Sequence, residues 1–243
     1  MKLIFLTIFI ITTASARVPE KGLKYRTSFG SCPSRTAGGL TLKLVKIFEG
    51  GNSLKDVKDY IEEEKIMDKY FLSDYRISYD PLKKIIKFNL ECPAPLMKVQ
   101  IYKRNNIDSY DAILVDNGSL YDPAYLVLLR EEKKIKKDLP FLALPVGNLK
   151  EEIRLSITKV IKDLNKDLRS NLAEVILNES NELTIIFSMK DKATSVFFGR
   201  EDWSVKVNKL QKIVSYMRSK KRMPSIINLT HSKKVVVKFK DKF

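Results

Sequence analysis

Few side chains in this 243-residue chain could carry out chemistry, and they are widely spaced. The single histidine, His231, lies in a polar stretch with no nucleophile motif near it, so a Ser–His–Asp arrangement is not indicated. Two cysteines, Cys32 and Cys92, do not provide the ligand spacing of a metal site. The carboxylate runs at 62–64 and 131–132 are surrounded by lysines, and no glycine belongs to a phosphate-binding loop. The sequence therefore predicts no catalytic residue, metal site or cofactor, and favours a binding or assembly protein.

The first sixteen residues have the parts of a bacterial secretory signal. Lys2 supplies a positive charge, Leu3 to Thr13 is an apolar run, and Ala14-Ser15-Ala16 has the small residues of a cleavage site. The run is short for a membrane-spanning helix, which needs about 20 residues. Cleavage, retention as a signal anchor and burial as an ordinary strand are all compatible with this segment. No comparable run follows, so the remainder of the chain is expected to be exported.

The two cysteines allow two interpretations. Export permits a disulfide bond, and one between Cys32 and Cys92 would tie the N-terminal approach segment to the first folded unit. The alternative is two unpaired or separately buried thiols, because two cysteines in a chain of this size do not make a disulfide framework.

The formal net charge of +16 favours anionic partners, such as phospholipid head groups, acidic proteins or nucleic acid. Lysine on every solvated face is the simpler explanation. No cluster of arginines and stacked aromatics is present, so a nucleic-acid partner is not predicted. Without a catalytic constellation, no small-molecule substrate is predicted either. The charge run 130–137 is interpreted as a solvated loop or helix end rather than a binding patch.

The N-terminal half predicts a small folded unit after a linker. Residues 17–41 are polar and contain glycine and proline, which is typical of a linker. The elements expected after it are strand, helix, short helix, strand and strand, at 42–48, 54–61, 67–72, 85–90 and 97–102. Ser53 is the expected N-cap of the first helix. The turn Cys92-Pro93-Ala94-Pro95 is expected to make a hairpin of the last two strands.

The C-terminal half predicts a larger unit with a sheet and two helices. Apolar residues at spacings of three and four predict one helix over 149–168 and another from Asp202, a possible cap, to Lys220. The expected strands are 113–115, 173–177, 183–187, 194–198, 226–229 and 235–239.

Several short motifs follow one another in a recognisable order. They are the strand 97–104, the hairpin Leu114-Val115-Asp116-Asn117-Gly118-Ser119-Leu120-Tyr121, Leu139-Pro140, Phe198-Gly199 followed by Lys206, Ile227-Asn228-Leu229-Thr230, and Val235-Val236-Val237-Lys238. With these motifs the chain resembles the FtsQ/DivIB family of bacterial cell-division proteins, over roughly Leu42 to Phe239.

The resemblance implies an α+β fold. A POTRA-like β-α-α-β-β domain would be followed by a mixed, mostly antiparallel sheet domain with two covering helices. After the signal sequence or anchor at 1–16 and the linker at 17–41, the resemblance places the POTRA-like domain at 42–111 and the C-terminal β domain at 112–243.

The resemblance also implies a function without catalysis. The chain would be an envelope scaffold of the division machinery at the inner membrane, with its body in the periplasm, or soluble there if 1–16 is cleaved. The implied partners are other divisome membrane proteins, of the FtsB and FtsL type. A POTRA-bearing chaperone for outer-membrane or secreted polypeptides is the alternative function, and a secreted hydrolase would need a catalytic cluster that the sequence lacks.

The expected partner site lies near the C-terminus. A β-branched strand at the end of a sheet has unpaired backbone groups that can accept a strand from another chain. Because successive side chains of a strand point to opposite faces of the sheet, Val235, Val237 and Phe239 are expected on one face, and Val236 and Lys238 on the other. The alternatives are an interior strand, or lysines that protect the edge from aggregation. The predicted partner-binding residues are Ile227, Asn228, Leu229, Thr230, Val235, Val236, Val237, Lys238 and Phe239.

Overall fold

The computed structural model describes residues 23–103, 108–189, 192–231 and 233–239. The first unit consists of β1 (Lys24–Ser28), α1 (Ser34–Gly51), α2 (Leu54–Glu63), α3 (Ile66–Lys69), β2 (Asp74–Asp80) and β3 (Ile85–Glu91). Its three strands form a sheet in the order β1-β3-β2, in which β1 is parallel and β2 antiparallel to β3. One face of this sheet, with Ile86, Phe88 and Leu90, packs against the helices.

The second unit is built on a nine-stranded sheet. Its elements are β4 (Pro95–Tyr102), β5 (Ser109–Val115), β6 (Leu120–Tyr121), α4 (Ala124–Glu131), β7 (Phe141–Pro145), α5 (Glu151–Asp163), α6 (Lys166–Ser170), β8 (Leu172–Leu177), β9 (Leu183–Met189), β10 (Lys192–Gly199), α7 (Trp203–Ser219), β11 (Ile226–Asn228) and β12 (Val236–Lys238). The strand order is β12-β11-β10-β9-β8-β7-β4-β5-β6, and five of the eight strand pairs are antiparallel.

The core of the second unit lies between the sheet and two helices. The buried residues Ile157, Val160 and Ile161 of α5, and Val207, Leu210 and Val214 of α7, pack on the same face of the sheet. The fold class predicted from the resemblance is confirmed: the fold is α+β, with a POTRA-like unit followed by a sheet domain.

The strand predicted at 42–48 is wrong, because this segment lies inside α1. Leu42 and Leu44 alternate with polar neighbours over a short window, which imitates a strand. Over a longer window the buried residues Leu40, Leu44 and Phe48 recur every four positions, as on one face of a helix. The first strand is β1, so β1 and the start of α1 occupy much of the segment interpreted as a linker, 17–41.

The hairpin predicted from 85–90 and 97–102 is also wrong. β3 pairs with β1 and β2, whereas β4 belongs to the nine-stranded sheet. Pro93 and Pro95 have no backbone N–H to donate, which suits a segment that leaves one sheet and enters another. Sheet membership therefore changes between Glu91 and Pro95 rather than near Asp111.

The helix predicted over 149–168 is divided in two. α5 ends at Asp163, Leu164 is extended, and α6 begins after Asn165. The Asn165 side chain accepts a hydrogen bond from the Leu168 N–H at 2.9 Å, which makes it the N-cap of a new helix. Of the two expected caps, Ser53 accepts from the Lys55 N–H, while Asp202 occupies the N-cap position without a capping side-chain bond.

Within the four described ranges, no helix combines the length and apolar character that crossing a bilayer requires. The proposed signal or anchor, 1–16, lies outside these ranges.

Candidate partner-binding edge

β12 is the last strand at one end of the nine-stranded sheet. It pairs antiparallel with β11 through Ile226↔Lys238, Ile227↔Val237 and Asn228↔Val236, and β11 lies parallel to β10. Among the described residues no strand pairs with the outer side of β12. Because a strand directs its N–H and C=O groups alternately to its two sides, this outer side has backbone groups that another strand could use.

Side chains of β12 alternate between the two faces of the sheet. Val237 is aligned with Ile227, which is buried on the helix-covered face. Val236 and Lys238 lie on the opposite, open face, where Val236 is 46% exposed. In the sheet, Val236 lies beside Asn228 of β11, and Asn228 lies beside Phe197 of β10. A strand added at this edge would therefore meet an exposed valine on the open face.

Two contacts hold one end of this edge in place, where β11 begins and β12 ends. The Ser225 N–H donates to the Lys238 carbonyl at 2.9 Å, next to the start of β11. The Arg222 guanidinium lies 4.4 Å from the centre of the Phe239 ring, which joins the end of β12 to the segment after α7. Sequence reasoning missed Arg222, because nothing in the spacing of the two residues indicates that they meet.

The segment Ile227 to Thr230 is divided between core and surface. Ile227 and Leu229 are fully buried, with exposures of 0% and 1%, so they support the edge from inside the core. The Asn228 side-chain oxygen accepts hydrogen bonds from the Thr230 N–H at 2.9 Å and from its hydroxyl at 2.7 Å, which closes a local turn after β11. Of this segment, only Asn228 and Thr230 are accessible to a partner.

The edge is strongly basic. From Ile226 to Phe239 the sequence contains Lys233, Lys234, Lys238 and His231, and no Asp or Glu. His231 is exposed. A partner strand with acidic residues beside apolar ones would be complementary to this surface.

A disulfide bond closes the first unit, and α4 joins the second unit to it. Cys32, after β1, is disulfide-bonded to Cys92, after β3, so of the two interpretations of the cysteines the structure contains the bonded one. The Tyr125 hydroxyl on α4 donates to the Pro93 carbonyl at 2.7 Å, and burial raises the pKa of this phenol. Tyr125, Leu126 and Leu129 belong to the core of the first unit. α4 therefore packs the second unit against the first.

The charge run 130–137 contains the end of α4 and is mostly exposed, as predicted, but Glu132 and Lys134 also make structural contacts. The Glu132 carboxylate accepts hydrogen bonds from the Ser34 N–H and, at 2.8 Å, from the Arg35 N–H. These are the first N–H groups of α1, which has neither a capping side chain of its own nor an acidic residue in its first turn. The Lys134 ammonium donates to the Cys32 carbonyl. Glu132 thus caps a helix of the other unit, a role that the local sequence does not indicate.

The pKa of Glu132 follows from these contacts. Desolvation raises the pKa of the carboxyl, but the N–H groups of Arg35 and Ser34 and the charge of Lys134 lower it by more, so the net shift is downward. A depressed pKa means that the folded state favours the ionised carboxylate. Its stabilising contribution is therefore present above the unfolded pKa, about 4.3, and is lost as the pH falls through the folded pKa.

We expect Glu132→Gln to lower the free energy of unfolding by about 1 kcal/mol at pH 7, because a neutral amide is a weaker cap at a helix N-terminus. Urea unfolding measures this difference, which should shrink as the pH falls below about 4. The exposed neighbour Glu131 offers a matched control, Glu131→Gln, with little expected effect. Equal losses in both variants, or a pH-independent loss for Glu132→Gln, would contradict the capping role.

The described ranges contain no group of three or more His, Cys, Asp or Glu side chains that could hold a metal ion. The carboxylates at 62–64 are exposed, as expected.

A POTRA-like unit followed by a large sheet domain is the α+β architecture of this chain. Residues 104–230 match the family described as Cell division protein FtsQ/DivIB, C-terminal. The match covers just over half of the chain, and the chain belongs to the FtsQ/DivIB family of membrane-anchored cell-division proteins. A comparison with curated proteins gave no match.

Proposed function

We propose that this chain is a non-enzymatic scaffold of the division machinery that binds other division membrane proteins by adding a strand at β12. The single observation that supports this most strongly is the position of β12 at the end of the sheet, with its outer side unpaired among the described residues. Membership of the FtsQ/DivIB family supplies the cellular process. Division partners of the FtsB and FtsL type are the proposed ligands.

The proposed binding mode uses backbone hydrogen bonds for affinity and side chains for selection. A partner strand would pair with the outer N–H and C=O groups of β12. Its apolar side chains would pack beside Val236 on the open face, and its acidic side chains would lie near Lys238 and the lysines at 233–234. Ile227 and Leu229 hold the edge from the core, and Phe239 fixes its end through Arg222.

The body of the protein is proposed to lie outside the cytoplasm. The first sixteen residues would export it and either hold it in the inner membrane or be removed. A reporter that is active only in the cytoplasm, fused after Phe243, should then be silent. Strong cytoplasmic activity would refute this topology, and resistance to alkaline extraction would distinguish an anchor from a cleaved signal.

The function itself is tested by depletion. Cells that lose the protein should grow into filaments, because septation stops while elongation continues. Restoring the wild-type chain should restore division. Defects in outer-membrane protein assembly without filaments would instead favour the chaperone alternative and overturn the proposed division role.

A further inference from the structure

The turn between β2 and β3 presents an unusual apolar residue to solvent. Leu82 is 95% exposed, more than any other large hydrophobic side chain in the described residues. The Asp80 carboxylate accepts hydrogen bonds from the Leu82 N–H at 3.1 Å and from the Lys83 N–H at 3.2 Å. Together with the fixed φ of Pro81, these bonds hold Leu82 at the tip of an ordered turn. A single exposed leucine is ordinary, so its surroundings decide its meaning.

The surroundings of Leu82 are cationic. The Lys24 N–H at the start of β1 donates to the Lys84 carbonyl at 2.9 Å, so the first strand begins beside the turn. Arg26 is aligned with Lys87 on the sheet face opposite the helices. The segments 24–26 and 80–87 contain five lysine or arginine residues and one acidic residue, Asp80.

An apolar tip bordered by lysines fits the boundary between lipid head groups and acyl chains. There, leucine leaves water while ammonium groups remain among anionic head groups. An acidic protein surface would attract the lysines equally well, but it would not require an apolar side chain at the extreme end of the turn.

The length of the preceding segment places this turn near the membrane. Lys24 follows Thr13, the end of the apolar run, by eleven residues. A fully extended segment of that length spans at most about 38 Å, and a flexible one has a root-mean-square length of about 18 Å. Because the Lys24 backbone is bonded to Lys84, the chain arrives from the apolar run at the turn itself. This step rests on retention of 1–16 as an anchor, one of the two outcomes that the proposed topology allows.

We propose that the β2–β3 turn, residues 80–84, docks on an anionic phospholipid bilayer. Leu82 enters the head-group boundary, and Lys24, Lys83 and Lys84 contact anionic head groups. This contact adds a second attachment to the anchor and fixes the orientation of the first unit on the membrane. It does not involve β12, which lies in the other sheet.

The test uses the full-length chain reconstituted into vesicles of phosphatidylglycerol and phosphatidylcholine with brominated acyl chains. Leu82→Trp should be quenched at least about twofold more than Val205→Trp, a control at a 57% exposed position on α7. The native Trp203 contributes the same background to both variants. Omitting phosphatidylglycerol, or adding Lys83→Gln and Lys84→Gln, should remove the difference, because the attraction is electrostatic.

Equal quenching of the two introduced tryptophans, or none, overturns the proposal. If Leu82→Asp also lowers co-purification of the division partner in detergent, the turn is a protein contact instead. If the membrane contact of the turn is refuted, partner binding at β12 is unaffected. If partner binding at β12 is refuted, the quenching difference is unaffected. The two proposals are therefore tested separately.

Discussion

Val237→Pro is expected to abolish co-purification of the division partner while the exported body stays folded. The Lys238 carbonyl accepts from the Ser225 N–H, so by alternation the backbone groups of Val236 also face β11 and those of Val237 face outward. Proline at 237 removes an outward N–H and places its ring in the path of an incoming strand. Losing two or three backbone hydrogen bonds, at about 1 kcal/mol each, lowers affinity by about a hundredfold. Co-purification of an FtsB-type partner with the full-length variant measures the loss.

Two controls separate loss of docking from loss of folding. Val237→Thr keeps the outward N–H and the β-branched shape at a position that is only partly buried, so it should retain binding. The Trp203 fluorescence of the proline variant should match that of the wild type, because Trp203 packs on the core of the same unit. Full binding by a folded Val237→Pro protein would refute the assignment of β12 as the docking edge.

Removing the disulfide is expected to destabilise the first unit strongly. Cys32 and Cys92 are 60 positions apart, and closing a loop of that length lowers the entropy of the unfolded chain by the equivalent of about 4 kcal/mol. Both half-cystines are buried, with exposures of 0% and 6%, in the core that also contains Phe88 and Tyr125. The double variant Cys32→Ser/Cys92→Ser should therefore unfold at lower urea concentration.

The measurement separates the two units by their signals. Trp203, the single tryptophan, reports on the second unit, whereas circular dichroism reports on both. We expect the circular dichroism transition to shift more than the Trp203 transition. A reducing agent should reproduce the shift in the wild type and have no effect on the double variant. A loss below about 1 kcal/mol would show that the bond contributes little.

The sequence predicted the second unit better than the first, for a physical reason. Strands β8, β9 and β10 follow one another in short hairpins, so alternation and turn residues predict them within a few positions. α7 begins at Trp203 and ends at Ser219, close to the predicted bounds. In these elements local pattern and tertiary packing favour the same structure.

The first unit depends on pairings between distant segments. β1 is only five residues long, is exposed along its length and is parallel to β3, so it lacks the apolar alternation that predicts a strand. Its partner choice is set by tertiary packing rather than by a local turn. Within 42–48 alone, the pattern of apolar residues fits either a strand or a helix. Only the four-residue spacing of buried side chains from Leu40 to Phe48 indicates a helix.

The candidate site was predictable only in part. β-branched residues near the C-terminus indicated an edge strand, and the structure places β12 at that edge. The burial of Ile227 and Leu229 was not predictable, because it depends on α7 packing over the sheet. The cap that Glu132 provides for α1 joins residues almost one hundred positions apart, which no local pattern reveals.

The most direct test of the central claim is amide hydrogen exchange of the full-length protein with and without an FtsB-type partner. If the partner adds a strand at β12, amides in 235–239 should exchange at least about tenfold more slowly in the complex, because outward N–H groups become bonded. The amides of β1, at the edge of the other sheet, should not change. Unchanged exchange in 235–239 while the partner is bound, with protection at β1 or elsewhere, would contradict the account.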